Sequence, residues 1–265
     1  MTDCRWFGRC GYGGSGWREE AAVGLSMRVA LYWAPAIDDP LAAAGNSWLG
    51  RDAETGAIVA QPDMPDIASV TEDARVYGFH ATLRPPMRLA TGWEEFCAAS
   101  EEIAARTAPF ALPPLEVVAV GGFLALVLTA PCPALHDLAD ACVAGTDRHR
   151  LPPDEHELAR RRATGLSAGE AAMLARWGYP YVMDTWSFHM TLSRRLTDVE
   201  MARLLPAERA HFAEALAVAR RVTEICVFTQ RQNTSTDRAA LLLALRLRLL
   251  GEWRATGNRA GQDVG

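Results

Sequence analysis

One five-residue pattern occurs twice in this chain. Tyr77–Arg84 reads YGFHATLR and Trp186–Arg195 reads WSFHMTLSRR, so Phe-His-x-Thr-Leu stands at residues 79–83 and again at 188–192. Both segments are rich in β-forming residues, and successive side chains of a strand point to opposite faces. His80 and Thr82 therefore share one face, while Phe79, Ala81 and Leu83 turn to the apolar side. In the second copy His189 and Thr191 share a face, opposite Phe188, Met190 and Leu192. Each segment reads as a half-buried strand that presents one imidazole and one hydroxyl to a groove. A single His-x-Thr would pass for a surface or satisfied histidine; two copies with the same flanking Phe and Leu point to a shared role.

The surrounding elements repeat as well. The foldable pattern begins with a strand at MRVALYWAP, from Met27. Asp39 and Pro40 then have the form of an N-cap and first helical residue, for a helix that stops near Gly50. A short helix near 65–73 precedes the first histidine strand, which Pro85-Pro86 should close. Trp93–Arg106 has helical spacing. Leu115–Val120 and 123–129 are apolar runs around Gly121-Gly122, a hairpin signal, and 135–144 is helical again. Past the second histidine strand, 197–219 reads as one or two helices broken at Pro206, followed by strands at 222–230 and 239–247 around the polar turn RQNTSTDR. His80 lies 35 residues before Leu115, and His189 lies 35 before Glu224. This architectural duplication predicts an α+β fold: two lobes related by a pseudo-twofold, each with a small antiparallel sheet flanked by helices.

The expected organisation is a single bilobal domain over 27–250. Lobe one covers about 27–145 and lobe two about 181–250, with a charged insertion at about 146–180 between them. Residues 1–26 have neither periodicity nor an apolar signal core; they read as a disordered extension, with Met27 as the biological start. The tail, 251–265, reads as flexible. His149 and His156 fall in the polar insertion and read as surface groups.

The net charge of −5 is the wrong sign for a protein that grips long nucleic acid by bulk electrostatics. A small phosphorylated ligand held by a few arginines remains compatible with it. All 27 basic residues are arginine, as a high-GC coding bias would also produce. The six cysteines show no metal-ligand spacing and read as small hydrophobes in a reducing cytosol. No apolar run is long enough to span a membrane, so a cytoplasmic protein without membrane contact is expected.

Paired H-x-[TS]-x-hydrophobic motifs on strands of a duplicated α+β fold resemble the two-histidine (2H) phosphoesterase superfamily. The phrases YGFHATLRPP, DRHRLPP, ELARRR, RWGYPYV and FHMTLSRRL are similar to one bacterial branch of it. That branch comprises proteins of phosphonate metabolism encoded among carbon–phosphorus lyase genes. The resemblance covers about Met27 to Arg248. It implies a cyclic phosphodiesterase acting on a small phosphorylated ribose or nucleotide-like substrate, with His80, Thr82, His189 and Thr191 catalytic. It also implies an association with phosphonate-pathway enzymes.

Cleaving a phosphodiester without metal needs a base to take a proton from the nucleophile and an acid to protonate the leaving oxygen. Imidazole can serve as either near neutral pH. The threonine hydroxyls would donate to the equatorial phosphoryl oxygens, and neither histidine is marked as base or acid. Strand parity adds Arg84, Ser193 and Arg195 as substrate-binding candidates, with solvated strand ends as the competing reading. Tyr32 is a further candidate for the groove wall, with the core as its alternative place. Arg148 and Arg150 are candidates for a second phosphate. No cofactor is expected, and no metal either, since the motif partner of each histidine is a threonine and not a carboxylate or thiolate. An RNA-end-processing cyclic phosphodiesterase or ligase-like enzyme, and a non-catalytic phosphometabolite-binding module, stay open beside this reading.

Overall fold

The computed structural model describes residues 27–231 and 241–250. The expectations for residues 1–26, for most of the RQNTSTDR turn and for the tail lie outside the described residues. In chain order the elements are β1 (Met27–Trp33), α1 (Pro40–Leu49), α2 (Ile67–Val70), α3 (Glu72–Tyr77), β2 (Ala81–Arg88), α4 (Trp93–Arg106), β3 (Phe110–Leu112), β4 (Leu115–Val120) and β5 (Phe123–Leu128). They continue with α5 (Pro133–Thr146), α6 (Glu155–Arg162), α7 (Ala168–Trp177), β6 (Met190–Thr191), α8 (Asp198–Leu216), β7 (Arg220–Val222), β8 (Glu224–Arg231) and β9 (Leu241–Arg248). The fold is α+β, with antiparallel sheets and helices.

The strands form a seven-stranded antiparallel sheet in the order β4-β5-β6-β2-β1-β8-β9 and a ribbon of β3 with β7. The two histidine segments are thus neighbours in one sheet and not opposite walls of a cleft. Counting outward from the β2–β6 pair, β1 answers to β5 and β8 to β4, with β9 added at one edge. The expected contiguous lobes do not describe this arrangement. The β4–β5 hairpin belongs to the first half of the chain yet joins β6 through β5, while β8 and β9 belong to the second half and extend β1. The cause is the placement of β1: it occupies the position beside β2 that β5 occupies beside β6. The ribbon ties the halves again, Phe110 opposite Val222.

One face of the sheet carries the main core. Leu31, Trp33, Ala81, Leu83, Met190 and Leu192 are buried there against α1, α4, α5 and α8. Asp39 caps α1 by accepting from the Leu41 N–H at 2.8 Å, and its carboxylate also receives Arg220 Nε and Nη2, each at 2.8 Å, from β7. Gly45 has a packing reason: a Cβ there would fall 2.1 Å from the Phe79 ring, which stacks on Phe212 of α8. Helix α8 runs through Pro206 without a break. Leu204 before the proline and Phe212 after it are buried in the same core, and that packing holds the helix across one missing backbone bond.

The Pro85-Pro86 expectation is corrected too: β2 continues to Arg88. Against β1 the register runs Tyr32↔Thr82, Leu31↔Arg84, Val29↔Met87. Leu83 is therefore an extra residue, and Pro85 with Pro86 together oppose Ala30. Prolines are tolerated at such bulges because no ladder N–H is demanded of them. Beyond Thr82 the other edge of β2 carries no strand, since β6 is two residues long; Arg150 bridges there to Leu89 instead.

Candidate active site

A single pair of residues sets the geometry of the motifs. Ala81 and Met190 are opposite one another on β2 and β6, and both are fully buried on the core side. Counting one residue out in each direction sets His80 opposite Thr191 and Thr82 opposite His189, all four on the other face and all partly exposed. The two histidines are then diagonal neighbours, with Cβ atoms roughly 7–8 Å apart on a sheet. The pseudo-twofold axis passes between them. A positive charge on His189 lowers the pKa of His80, which places the rings within electrostatic reach.

Both imidazoles are held in the same way. His80 Nδ1 lies 3.0 Å from the Gly78 carbonyl oxygen, and His189 Nδ1 lies 3.1 Å from that of Ser187, two residues earlier in each case. A carbonyl only accepts, so each Nδ1 carries the proton and each neutral ring leaves Nε2 as its free lone pair. Thr82 Oγ1 stands 3.4 Å from His80 Nε2.

The surroundings differ. Tyr32, on β1, stacks on His80 with ring centroids 3.6 Å apart, and Phe228 of β8 lies at 6.0 Å. This burial lowers the His80 pKa to about 4; the Gly78 carbonyl opposes the shift and His189 adds to it. Among the described residues His189 has Phe123 as its one aromatic ring contact, at 6.1 Å, and it lines an open cavity of about 830 Å³ with Trp186 and His136. Tyr32 itself is 1% exposed, so it forms the backing of His80 and not a wall of the groove, and burial raises its own pKa.

Three further sequence candidates are displaced. The extra residue Leu83 reverses the parity of β2, so Arg84 turns to the core face, opposite Leu31; it is 1% exposed, with Nη2 3.7 Å from Asp147. β6 ends at Thr191, so the alternation stops before Ser193. That residue is buried, its hydroxyl accepting from the Leu124 N–H at 2.9 Å and donating to the Arg194 carbonyl at 2.8 Å. Arg195 is exposed and donates to the Gly121 carbonyl in the β4–β5 turn. In the insertion, Arg148 is exposed and donates to His149 Nε2 at 2.9 Å, whereas Arg150 faces Asp147 at 2.8 Å. His149 is buried and not at the surface: it packs edge-on against Phe96 and shares a 2.7 Å hydrogen bond with Thr91.

Two tryptophans that the motif reading passed over cross-link the site. Trp186 Nε1 donates to the Thr82 carbonyl at 2.8 Å, and Trp48 Nε1 donates to the Leu192 carbonyl at 3.0 Å. Each motif is thereby fixed by an indole from the other half of the chain. The signal in the sequence was the indole itself, a large apolar body with one donor that needs a partner once buried.

Residues 82–236 match a protein family of unknown function, DUF1045. The chain belongs to that family. Among its curated relatives, one from Janthinobacterium sp. (strain Marseille) is 41% identical over 207 residues, covering 72% of this chain and 44% of its own length. Another, from Laribacter hongkongensis (strain HLHK9), is 37% identical over 195 residues, covering 72% of this chain and 45% of its own. Both bear the name ribose 1,5-bisphosphate phosphokinase PhnN. The chain spans less than half the length of these relatives. Among solved structures, E. coli LigT complexed with NADP+ is similar at a TM-score of 0.42 and 14% identity, over 85% of this chain and 98% of LigT. Among the described residues no helix is long and apolar enough to cross a membrane, and no group of three His, Cys, Asp or Glu side chains is placed to hold a metal ion.

Proposed function

We propose that this protein is a metal-independent phosphoesterase of the cyclic phosphodiesterase type, acting on a small phosphorylated ribose in phosphonate metabolism. What supports the reading is the Ala81–Met190 register, which makes the two imidazoles diagonal neighbours on one face of the sheet, each opposite the other's threonine. His80, kept neutral by the desolvation that the stacked Tyr32 imposes, serves as base: its Nε2 takes a proton from the attacking water. His189 in its protonated form serves as acid, giving its Nε2 proton to the leaving ring oxygen. A bond from water oxygen to phosphorus forms, the bond from phosphorus to the ring oxygen breaks, and the product is a phosphate monoester. Thr82 and Thr191 donate to the non-bridging oxygens, where charge builds up.

The relatives' name suggests the sugar. Opening a 5-phosphorylated ribose 1,2-cyclic phosphate at the 2-oxygen yields ribose 1,5-bisphosphate, the compound in that name. The kinase step itself we assign to the part of the relatives outside the match, because this chain has no lysine and therefore no P-loop lysine. The test is turnover of a panel of cyclic ribose and nucleotide phosphates in the presence of a chelator. At least one should be hydrolysed, and activity that disappears in EDTA and returns with zinc or manganese would overturn the metal-independent scheme.

A further inference from the structure

The insertion at 146–180 packs along the strand-free edge of β2 and gathers arginines there. Arg28, Arg84, Arg88, Arg150 and Arg161 line one pocket together with Glu157. Carboxylates are too few to neutralise them. Glu157 serves both Arg28, at 3.4 Å, and Arg161, at 2.5 Å. Asp147 serves Arg150, at 2.8 Å, as well as Arg84 and Arg176, each at 3.7 Å. Asp154 faces Arg88 at 3.4 Å. Six guanidinium groups thus share three carboxylates, in a chain whose net charge is −5.

The least satisfied of the six is also the most deeply buried. Arg84 is 1% exposed, its Nε has no hydrogen-bond partner among the described residues, and its Nη2 donates to the Met87 thioether at 3.0 Å, a weak acceptor. A buried cation so poorly paired is costly unless something else completes it. Gly178, just past α7, has φ +72°, a left-handed conformation that favours glycine, and the Arg150 guanidinium lies beside it. Arg161 is held over the Tyr179 ring at 4.6 Å and donates to the Gly178 carbonyl at 2.8 Å.

The pocket adjoins the histidine groove. Arg28 shares the Tyr32 face of β1, four residues away, or about 13 Å along a strand, and the long arginine side chain shortens that span. Tyr179, which lines the pocket, interacts electrostatically with Tyr32, the residue stacked on His80. We propose that this pocket is a second anion subsite that binds the distal phosphate monoester of the substrate while its cyclic phosphate lies between His80 and His189. The inference rests on the proposed phosphoesterase activity for its substrate, and on the arginine excess alone for its anion.

The test has two arms. In the first, inorganic phosphate is titrated by calorimetry into the His80→Ala/His189→Ala double variant, which lacks the motif site. One phosphate should bind, and adding Arg28→Gln should weaken it at least tenfold. Arg28 is chosen because its side chain is 28% exposed and its loss should not unfold the protein, as loss of Arg84 could. No binding, or binding indifferent to Arg28→Gln, overturns the subsite. In the second arm, wild type is assayed on ribose 1,2-cyclic phosphate with and without the 5-phosphate. A preference of at least tenfold in kcat/KM for the phosphorylated sugar, reduced by Arg161→Gln, is expected; equal turnover of the two overturns the assignment to a distal phosphate. If neither sugar is hydrolysed, the phosphoesterase reading fails for them while the first arm still decides the pocket.

Discussion

His80 and His189 occupy the same motif, donate the same Nδ1 proton to the same kind of carbonyl, and face each other's threonine across adjacent strands. The strands that flank them are nevertheless different. Behind His80 the neighbouring strand is β1, which brings Tyr32 flat against the ring; the strand beside His189 is β5, and the ring borders an open cavity. A symmetric scaffold thus holds an asymmetric pair, one imidazole kept neutral by burial and the other left to water. Duplication supplies the geometry, and the strand that fills the inner position supplies the desolvation that lowers the His80 pKa.

The largest expected effect comes from removing either ring. His80→Ala and His189→Ala should each lower kcat/KM by about 10²–10⁴-fold, and their pH profiles should differ. Loss of His80 should abolish the acidic limb, and loss of His189 the basic limb. If both variants lose the same limb, the two histidines are not divided into base and acid.

Next is Tyr32→Ala, which opens His80 to solvent. Wild-type kcat/KM should hold its acidic limb near pH 4, and the variant should move it up toward about 6.5, the ordinary histidine value. NMR titration of His80 checks the shift directly. The same lowered pKa has a stability consequence. Between about pH 6.5 and 4 the unfolded chain binds a proton that the folded chain does not, so stability is full above 6.5 and falls as pH drops toward 4. An acidic limb unmoved by Tyr32→Ala would show that the stacked phenol is not what keeps the base neutral.

The helices that follow the motifs offer a third contrast. The 109 residues that separate His80 from His189 also separate Ala99 of α4 from Glu208 of α8. Ala99 is an ordinary core residue, whereas Glu208 is fully buried with neither carboxyl oxygen hydrogen-bonded among the described residues, and burial pushes its pKa up to about 8. Glu208→Leu should stabilise the protein by about 1–4 kcal/mol. It should also remove a pH dependence of fixed sign: from about 4.5 to 8 the folded state retains a proton that the unfolded state releases, so wild-type stability declines as pH rises through that window. Denaturant melts at pH 5 and pH 8 test both statements. The smallest effect is that of Trp186→Phe, which deletes the hydrogen bond to the Thr82 carbonyl at a cost of about 1 kcal/mol. Because that bond positions the first motif from the second half, kcat should fall more than KM rises.

What the sequence disclosed and what it withheld divide along the reach of a local pattern. Period-two alternation placed His80, Thr82, His189 and Thr191 on one face, and the apolar run at Leu115–Val120 located β4. The Asp39 cap and Gly50 bounded α1, with Gly50 in the left-handed conformation. Parity failed where the backbone leaves regular geometry. The bulge at Leu83 sent Arg84 to the other side of the sheet, and the early end of β6 put Ser193 outside any alternation. Neither event has a compositional signature, because both depend on which strand lies alongside. The contiguous lobes failed for the same reason: two hairpins of similar texture can pair with either histidine strand, and the choice falls to β1, which has no counterpart in the second half of the chain.

The exchange of hairpins between halves has a mechanical meaning. Cutting the chain in the 146–180 segment would leave an N-terminal piece whose β4–β5 hairpin has lost β6, which joins it to β2, and a C-terminal piece whose β8–β9 hairpin has lost β1, the strand it extends. Neither piece retains a closed set of contacts, so the two histidines are delivered to each other by the same cooperative event that folds the molecule.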